Sequence, residues 1–172
     1  GAGVKQLTGG EKDDVFIFEG STQNLTATPP SANRLVGGAG NDTVILSGRS
    51  RDTEERQLGY HVDLEAGHIS IITQAGQEKD TGDYDHAVLE SIEHVEILEG
   101  GRNTIKGTAG PNIIKSRGND AIEAGAGDDQ IFLLGANNRD ADGGPGNDVY
   151  AIAHKPGRVS ISEDGIGNSD IA

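Results

Sequence analysis

The residues best suited to chemistry in this chain are aspartates that recur at the sixth position of glycine-rich nonamers. The clearest copies are GGAGNDTVI at 37–45, AGAGDDQIF at 124–132 and GGPGNDVYA at 143–151. Carboxylates, together with the backbone carbonyls of tight turns, are hard oxygen ligands of the kind that Ca²⁺ takes in sets of about six to eight. Mg²⁺ fits such turns less well, because it demands near-octahedral geometry. The repeats therefore predict calcium binding.

Weaker copies extend the pattern along the chain. GGEKDDVFI at 9–17 has Lys12 in place of a glycine, GTAGPNIIK at 107–115 has Asn112 in place of Asp, and SRGNDAIE at 116–123 lacks the glycine pair. We therefore expect fewer sites than repeats. The predicted side-chain ligands are Asp14, Asp42, Asn112, Asp120, Asp129, Asp140 and Asp148. The predicted backbone carbonyl ligands are those of Gly37, Ala39, Ala124, Ala126, Gly143 and Pro145.

The nonamers also predict the elements that position these ligands. Six residues with several glycines make a tight turn, because glycine permits positive φ. The next three residues, with an apolar one in the middle, make a short strand with one inward side chain. Stacked turns and strands predict an all-β fold, a parallel β-roll or β-helix solenoid. Since alternate repeats face opposite edges, Asn112, Asp129 and Asp148 should share one edge, and Asp120 and Asp140 the other.

The nonamers GGAGNDTVI, AGAGDDQIF and GGPGNDVYA resemble the repeats of RTX proteins, whose pattern is Gly-Gly-X-Gly-X-Asp-X-apolar-X. The stretch from YHVDLEAGHI through LESIEHVEIL into GTAGPN also resembles the segment that often leads into such repeats. The resemblance implies export by a Gram-negative bacterium, mostly through type I secretion, followed by folding in external calcium. We therefore expect a piece of a larger secreted or cell-surface protein, whose parent engages the type I secretion apparatus.

The middle of the chain departs from the repeats. YHVDL and HISII alternate as strands around Glu65–Gly67, which predicts a hairpin or a coil turn. HAVLESIEHVEIL has apolar spacing typical of an amphipathic helix, but the alternation in its second half favours strands that stack on the roll. The expected organisation is one elongated unit with N-terminal RTX-like turns at 1–45, an irregular strand-rich insert at 46–106 and a C-terminal RTX β-roll at 107–172.

Composition limits the partners of the chain. The formal net charge of −14 disfavours nucleic acid and an anionic membrane surface. Cysteine is absent, which excludes disulfides and thiolate zinc sites, and no apolar run is long enough to span a bilayer. With 33% hydrophobic and 3% aromatic residues, burial alone offsets little chain entropy, so a cationic partner would supply missing stability.

Other clusters have simpler interpretations. His61 and His68, with Asp63 between them, could suggest a transition-metal site, but surface histidines on strands are the favoured interpretation. An aspartate-rich loop could hold a further calcium ion, yet it lacks the closing Glu and the flanking helices of an EF-hand, so solvated loop charge is favoured. Its members are Asp80, Asp83 and Asp85.

No catalytic motif is present, neither G-x-S-x-G, H-E-x-x-H nor a P-loop, so we expect no enzyme activity from this chain. The first hypothesis is a calcium-binding module that takes up about three to six ions and folds after secretion of a larger toxin, enzyme or adhesin. The alternative is a glycan- or protein-recognition module of a secreted adhesin or polysaccharide-acting enzyme. Its surface would be the middle block, where exposed aromatic residues are scarce.

Overall fold

The computed structural model describes residues 6–19, 33–47, 59–72, 87–98, 101–135, 139–153 and 158–162. Every regular element in these ranges is a β-strand, which confirms the all-β class. The same ranges contain no helix of the length and apolar character that crossing a membrane would require. The aspartate-rich loop around Asp83 lies outside the described residues.

Fifteen strands lie in the described part of the chain. In chain order they are β1 (Gln6–Thr8), β2 (Val15–Glu19), β3 (Asn33–Val36), β4 (Thr43–Ser47), β5 (Gly59–Asp63), β6 (His68–Ile72), β7 (Ala87–Glu90), β8 (His94–Ile97), β9 (Arg102–Lys106), β10 (Ile113–Ser116), β11 (Asn119–Glu123), β12 (Gln130–Leu133), β13 (Arg139–Asp142), β14 (Val149–Ile152) and β15 (Val159–Ser162). A nine-stranded sheet has the order β1-β3-β7-β6-β5-β9-β11-β13-β15, and a six-stranded sheet has the order β14-β12-β10-β8-β4-β2.

From β9 onward the chain winds as a regular roll. Successive strands alternate between the two sheets, and each pairs in parallel with the strand one coil further on. The pairing sets like residues side by side, Ile105 next to Ile122 in one sheet and Ile114 next to Ile131 in the other. All four are at most 2% exposed, so each strand points an apolar side chain inward, as its alternation predicts. The predicted parallel β-roll is confirmed.

The centre of the nine-stranded sheet contains a hairpin that breaks this winding. Strands β5 and β6 pair antiparallel through a turn that contains Glu65 and Gly67, and β6 pairs antiparallel with β7. Every other strand pair in the described residues is parallel. Of the two predicted forms for this turn, the structure has the hairpin. HAVLESIEHVEIL forms the strands β7 and β8 rather than a helix, and Ser91 turns the chain between them at φ 51°.

Buried apolar side chains from both sheets meet between them in one cluster that runs through the roll. The cluster is densest around the hairpin, where Tyr60, Val62 and Ile69 are at most 1% exposed. Towards the C-terminus the coils contribute fewer and smaller side chains, such as Ala141. The hairpin region is therefore the part of the fold that hydrophobic burial stabilises most.

The inward position of Ile114 yields a stability prediction. Ile114 is fully buried between the sheets, so Ile114→Ala should lower the free energy of unfolding by about 2–5 kcal/mol through lost burial and a residual cavity. Ile17 is 65% exposed, and Ile17→Ala should change stability by about 0.5 kcal/mol or less. Urea unfolding of both variants in saturating calcium measures the difference. Equal losses would mean that the inward face has been assigned wrongly.

Candidate metal-binding edge

One edge of the roll carries a stack of acidic turns. Turns here lead from a strand of the nine-stranded sheet to a strand of the six-stranded sheet, and each of the six-residue turns ends in a carboxylate or amide residue. We call this stack the acidic edge. It consists of the turns 9–14, 37–42, 107–112, 124–129 and 143–148, which end in Asp14, Asp42, Asn112, Asp129 and Asp148.

Hydrogen bonds join the last residues of neighbouring turns. The backbone N–H of Asp14 donates to Oδ1 of Asp42 at 2.7 Å. The N–H of Asn112 donates to Oδ1 of Asp129 at 2.7 Å, and that of Asp129 to Oδ1 of Asp148 at 2.8 Å. The structure thus brings Asn112, Asp129 and Asp148 together on one edge, as their spacing predicted. Their role as metal ligands stays a prediction.

The second oxygen of the carboxylates has a different environment. Asp42 and Asp129 are 0% exposed, and the Oδ2 atom of each is buried and accepts no hydrogen bond from the described residues. A buried ionised oxygen without a donor or a cation costs several kcal/mol, so these atoms require a positive partner. Oδ2 of Asp42 and the carbonyl oxygen of Ser91 both lie beside Gly37. The donor set therefore fits a hard divalent cation such as Ca²⁺.

The glycines of these turns allow the close approach that such a site needs. A Cβ built on Gly37 would collide with the carbonyl oxygen of Ser91 and with Oδ2 of Asp42. Gly38 and Gly125 occupy positive φ, 111° and 107°, and a Cβ on either would collide with a carbonyl of the preceding turn. The turns therefore stack with their carbonyl oxygens facing the neighbouring backbone, an arrangement that a side chain at these positions would disrupt.

The predicted carbonyl ligands all lie in these stacked turns. They occupy the first and third positions of turns 37–42, 124–129 and 143–148. The Pro145 carbonyl accepts the N–H of Gly127 at 2.9 Å, which leaves its second lone pair for another partner. Among the described residues, no three His, Asp or Glu side chains converge to hold a metal by themselves. A cation at this edge would therefore depend on backbone carbonyls as well as carboxylates.

Burial and like charge act together on Asp129. Burial raises the pKa of its carboxyl group from 3.8 to about 6, against the N–H of Asn112, which lowers it. The negative charges of Asp148 and Asp128 raise the pKa further. Asp129 therefore holds its proton to a higher pH than an ordinary aspartate, as expected of a carboxyl group buried beside other negative charges.

Glu93 belongs to the acidic edge although its turn contains no glycine. Thr43 pairs with His94, so Glu93 lies in register with Asp42, and the N–H of Asp42 donates to Oε2 of Glu93 at 2.9 Å. Glu93 was not among the predicted ligands, because no glycine-rich turn precedes it. An acidic residue directly before the alternating strand His94–Ile97 is the signal that could have identified it.

On the opposite edge, Asp120 and Asp140 both lie near the starts of neighbouring strands, β11 and β13, but they are not side by side. Asp120 is 3% exposed and accepts hydrogen bonds from Nδ2 of Asn103 at 2.7 Å and from the N–H of Gly118 at 3.0 Å. Asp140 is exposed and pairs with Ala121, one position out of register. Uncharged protein groups thus donate a hydrogen bond to each carboxylate oxygen of Asp120.

The histidines of the middle block form a pair on neighbouring strands. The ring centroids of His61 and His68 lie 5.5 Å apart at partly exposed positions. Asp63 does not join them, because its Oδ1 accepts the N–H of Ala66 at 2.7 Å and its Oδ2 lies 3.9 Å from Nζ of Lys106. This arrangement agrees with surface histidines on strands.

Comparison with known protein families identifies the repeats. The family described as the RTX calcium-binding nonapeptide repeat, in 4 copies, matches residues 30–48, 99–131 and 116–139. These ranges include the turns 37–42, 107–112 and 124–129 and leave out the central hairpin. No curated protein matches the chain.

The collision at Gly37 leads to a prediction for calcium binding. Gly37→Ala should weaken calcium binding about tenfold or more, because a Cβ would displace Oδ2 of Asp42 or the Ser91 carbonyl. Gly10→Ala is the matched control, since a Cβ on Gly10 meets no atom within 4 Å. Isothermal titration with CaCl₂ compares the two variants. Equal affinities would show that the first turn position does not shape the site.

Protonation of Asp129 leads to a pH prediction. Its folded pKa of about 6 exceeds the ordinary 3.8, so its contribution to the stability of the metal-free fold is fully present below about pH 3.8 and is lost as the pH rises through about 6. Calcium requires the ionised carboxylate, so calcium affinity should increase over this interval and level off above it. Titrations at about pH 5 and about pH 7.5 measure the effect. An affinity that is equal at both values would contradict the prediction.

Proposed function

We propose that this chain, in which residues 30–48, 99–131 and 116–139 match the RTX calcium-binding nonapeptide repeat, is a calcium-dependent folding module of a larger secreted protein. The observation that carries the proposal is the pair of buried Oδ2 atoms, on Asp42 and Asp129, which no described protein group neutralises. They lie in turns whose carbonyl oxygens line the same gaps. The edge thus offers carboxylate and carbonyl oxygens, and Lys12 in turn 9–14 is the only positively charged side chain in its six-residue turns.

The residues of the acidic edge couple folding to the ion. Calcium, when bound, supplies two positive charges and a demand for several oxygen ligands. Asp42 and Asp129 would each contribute the buried Oδ2, and the carbonyls of positions one and three would complete the set. Since these oxygens approach one another only when the turns stack, the unfolded chain has no comparable site. Binding free energy therefore becomes folding free energy.

The stacking order supports three gaps of this type. Two six-residue turns are neighbours at three places, 9–14 with 37–42, 107–112 with 124–129, and 124–129 with 143–148. We accordingly propose three ions, at the lower end of the expected three to six. Asp120 on the opposite edge would bind none, because Asn103 and Gly118 already donate to it.

The cellular role proposed for the module depends on where its calcium sites would be empty and where they would be filled. Extracellular calcium modules bind with dissociation constants of about 10⁻⁴–10⁻³ M, so the sites would stay empty in the cytosol and fill outside the cell. A net charge of −14 then keeps the empty chain extended through self-repulsion, which suits type I secretion of the unfolded parent protein. We propose no catalytic activity for this chain, whatever the parent protein does.

Circular dichroism of the isolated chain tests the proposal. In EDTA the β signal should be weak, and CaCl₂ at about 10⁻⁴–10⁻³ M, but not MgCl₂, should increase it. Asp129→Asn should shift the midpoint to higher calcium, because Asp129 lies between two of the gaps, whereas the exposed Asp140→Asn should leave it unchanged. A full β spectrum in EDTA that ignores calcium would favour the alternative, a glycan- or protein-recognition module.

A further inference from the structure

Two features interrupt the acidic edge between its second and third six-residue turns. The first is the β5–β6 hairpin, which enters the nine-stranded sheet between β7 and β9. The six-stranded sheet has no counterpart, because β8 pairs directly with both β4 and β10. With strands about 4.8 Å apart, two additional strands separate the ends of β7 and β9 by about 10 Å more than the neighbouring coils.

The hairpin turn itself occupies the acidic edge. The N–H of Leu64 donates to the carbonyl of Lys106, at the end of β9, at 2.9 Å. The N–H of Leu89, in β7, donates to the carbonyl of Gly67 at 2.7 Å. The hairpin turn therefore lies between the two strand ends from which the turns at 91–93 and 107–112 begin. These two turns cannot stack carbonyl upon carbonyl as their neighbours do.

Asn112 is the second feature. Its Oδ1 accepts the N–H of Thr108 at 2.8 Å, which places the amide nitrogen on the side of the preceding turn. Nδ2 donates to the Glu93 carbonyl at 2.7 Å and to Oγ1 of Thr108 at 2.9 Å. In Asp42 and Asp129 the atom on that side is an oxygen, which accepts the N–H of the preceding turn. Asn112 reverses the sense of the bond, so an amide donor stands where the other gaps offer acceptors.

The hydrogen bonds of Glu93 also show that the stack of turns is interrupted before Asn112. Its backbone N–H donates to the Asp42 carbonyl at 3.1 Å, towards the N-terminal turns. The N–H of Ile113 donates to Nδ1 of His94 at 3.1 Å, whereas the equivalent N–H groups of Thr43 and Gln130 donate to a backbone carbonyl of the preceding turn. The succession of carboxylate-to-backbone bonds that connects the other turns is thus absent between Glu93 and Asn112.

We propose that the hairpin and Asn112 divide the acidic edge into two calcium clusters, turns 9–14 and 37–42 in one and turns 107–148 in the other, which bind ions independently. This inference rests on the proposed calcium-binding function. Within a cluster, a carboxylate such as Asp129 touches both of its neighbouring turns and so couples two gaps. Across the junction, hydrogen bonds that need no ion hold Glu93 and Asn112 together.

Double-mutant cycles measured by calcium titration test the division. Asp42→Asn should reduce the number of bound ions, and the dissociation constants of the remaining ions should stay within twofold of those of the unaltered chain. Asp129→Asn should likewise leave the dissociation constant of the first cluster within twofold. The double variant Asp42→Asn/Asp129→Asn should show the sum of the two effects. Asp129→Asn combined with Asp148→Asn is the control for coupling, because these carboxylates are directly joined and their effects should not add.

Two outcomes overturn the inference and remain distinguishable. If Asp42→Asn weakens the ions of the second cluster tenfold or more, calcium binds but the clusters are coupled, and only the division fails. If the unaltered chain binds no calcium, the proposed function fails together with the division. Ion number is read independently by native mass spectrometry.

Asn112→Asp tests the junction residue itself. The substitution would place a carboxylate oxygen against the Glu93 carbonyl, an arrangement that needs a cation. We expect one additional bound ion and non-additive effects in the cycle between Asp42 and Asp129. Asn41→Asp adds the same charge at an exposed turn position and should change neither result. An unchanged ion number and an additive cycle in Asn112→Asp would show that Asn112 is not the residue that divides the edge.

Discussion

Buried carboxylate oxygens that lack a donor are the constraint on which the stacked coils depend. In Asp42 and Asp129 the first oxygen receives a backbone N–H from the neighbouring turn, so the stacking of turns itself fixes the carboxylate in place. The second oxygen is buried and accepts no hydrogen bond from the described residues. Raising the pKa of Asp129 to about 6 is the response of the protein without a cation. Under the proposed function, stacked turns and a cation therefore stabilise each other.

The distribution of apolar side chains shows where this dependence is strongest. The 26 described residues between 59 and 98 include ten buried apolar side chains, whereas the 49 described residues from 107 to 162 include seven, two of them alanine. Hydrophobic burial scales with apolar area, so the C-terminal coils obtain less stability from their interior than the hairpin region does. Ligands that join one coil to the next are the remaining source of stability in such a repeat array.

The sequence predicted the roll and most of its acidic edge because glycine and aspartate mark the turns directly. Asp129 and Asp148 could be assigned to one edge from spacing alone. The register of Asp140 could not be predicted from spacing. One coil spans 17 residues, from Asn112 to Asp129, and the next spans 19, from Asp129 to Asp148. The sequence does not show where in the longer coil the two additional residues lie. Glu93 was missed since its short turn needs no glycine. At Glu65–Gly67 the sequence predicted either a hairpin or a coil turn and did not decide between them.

Acidic residues on this edge do not require an ion in general, and Asp63 shows why. It ends strand β5 next to the hairpin turn, where Oδ1 accepts the N–H of Ala66 and Oδ2 lies 3.9 Å from Nζ of Lys106. A chain that turns back on itself can bring a free N–H and a lysine to the carboxylate. A chain that crosses from one sheet to the other uses its N–H groups to join neighbouring coils, as Ala39 does with Gly10. The need for calcium thus arises from the crossing turns, and the hairpin removes it locally.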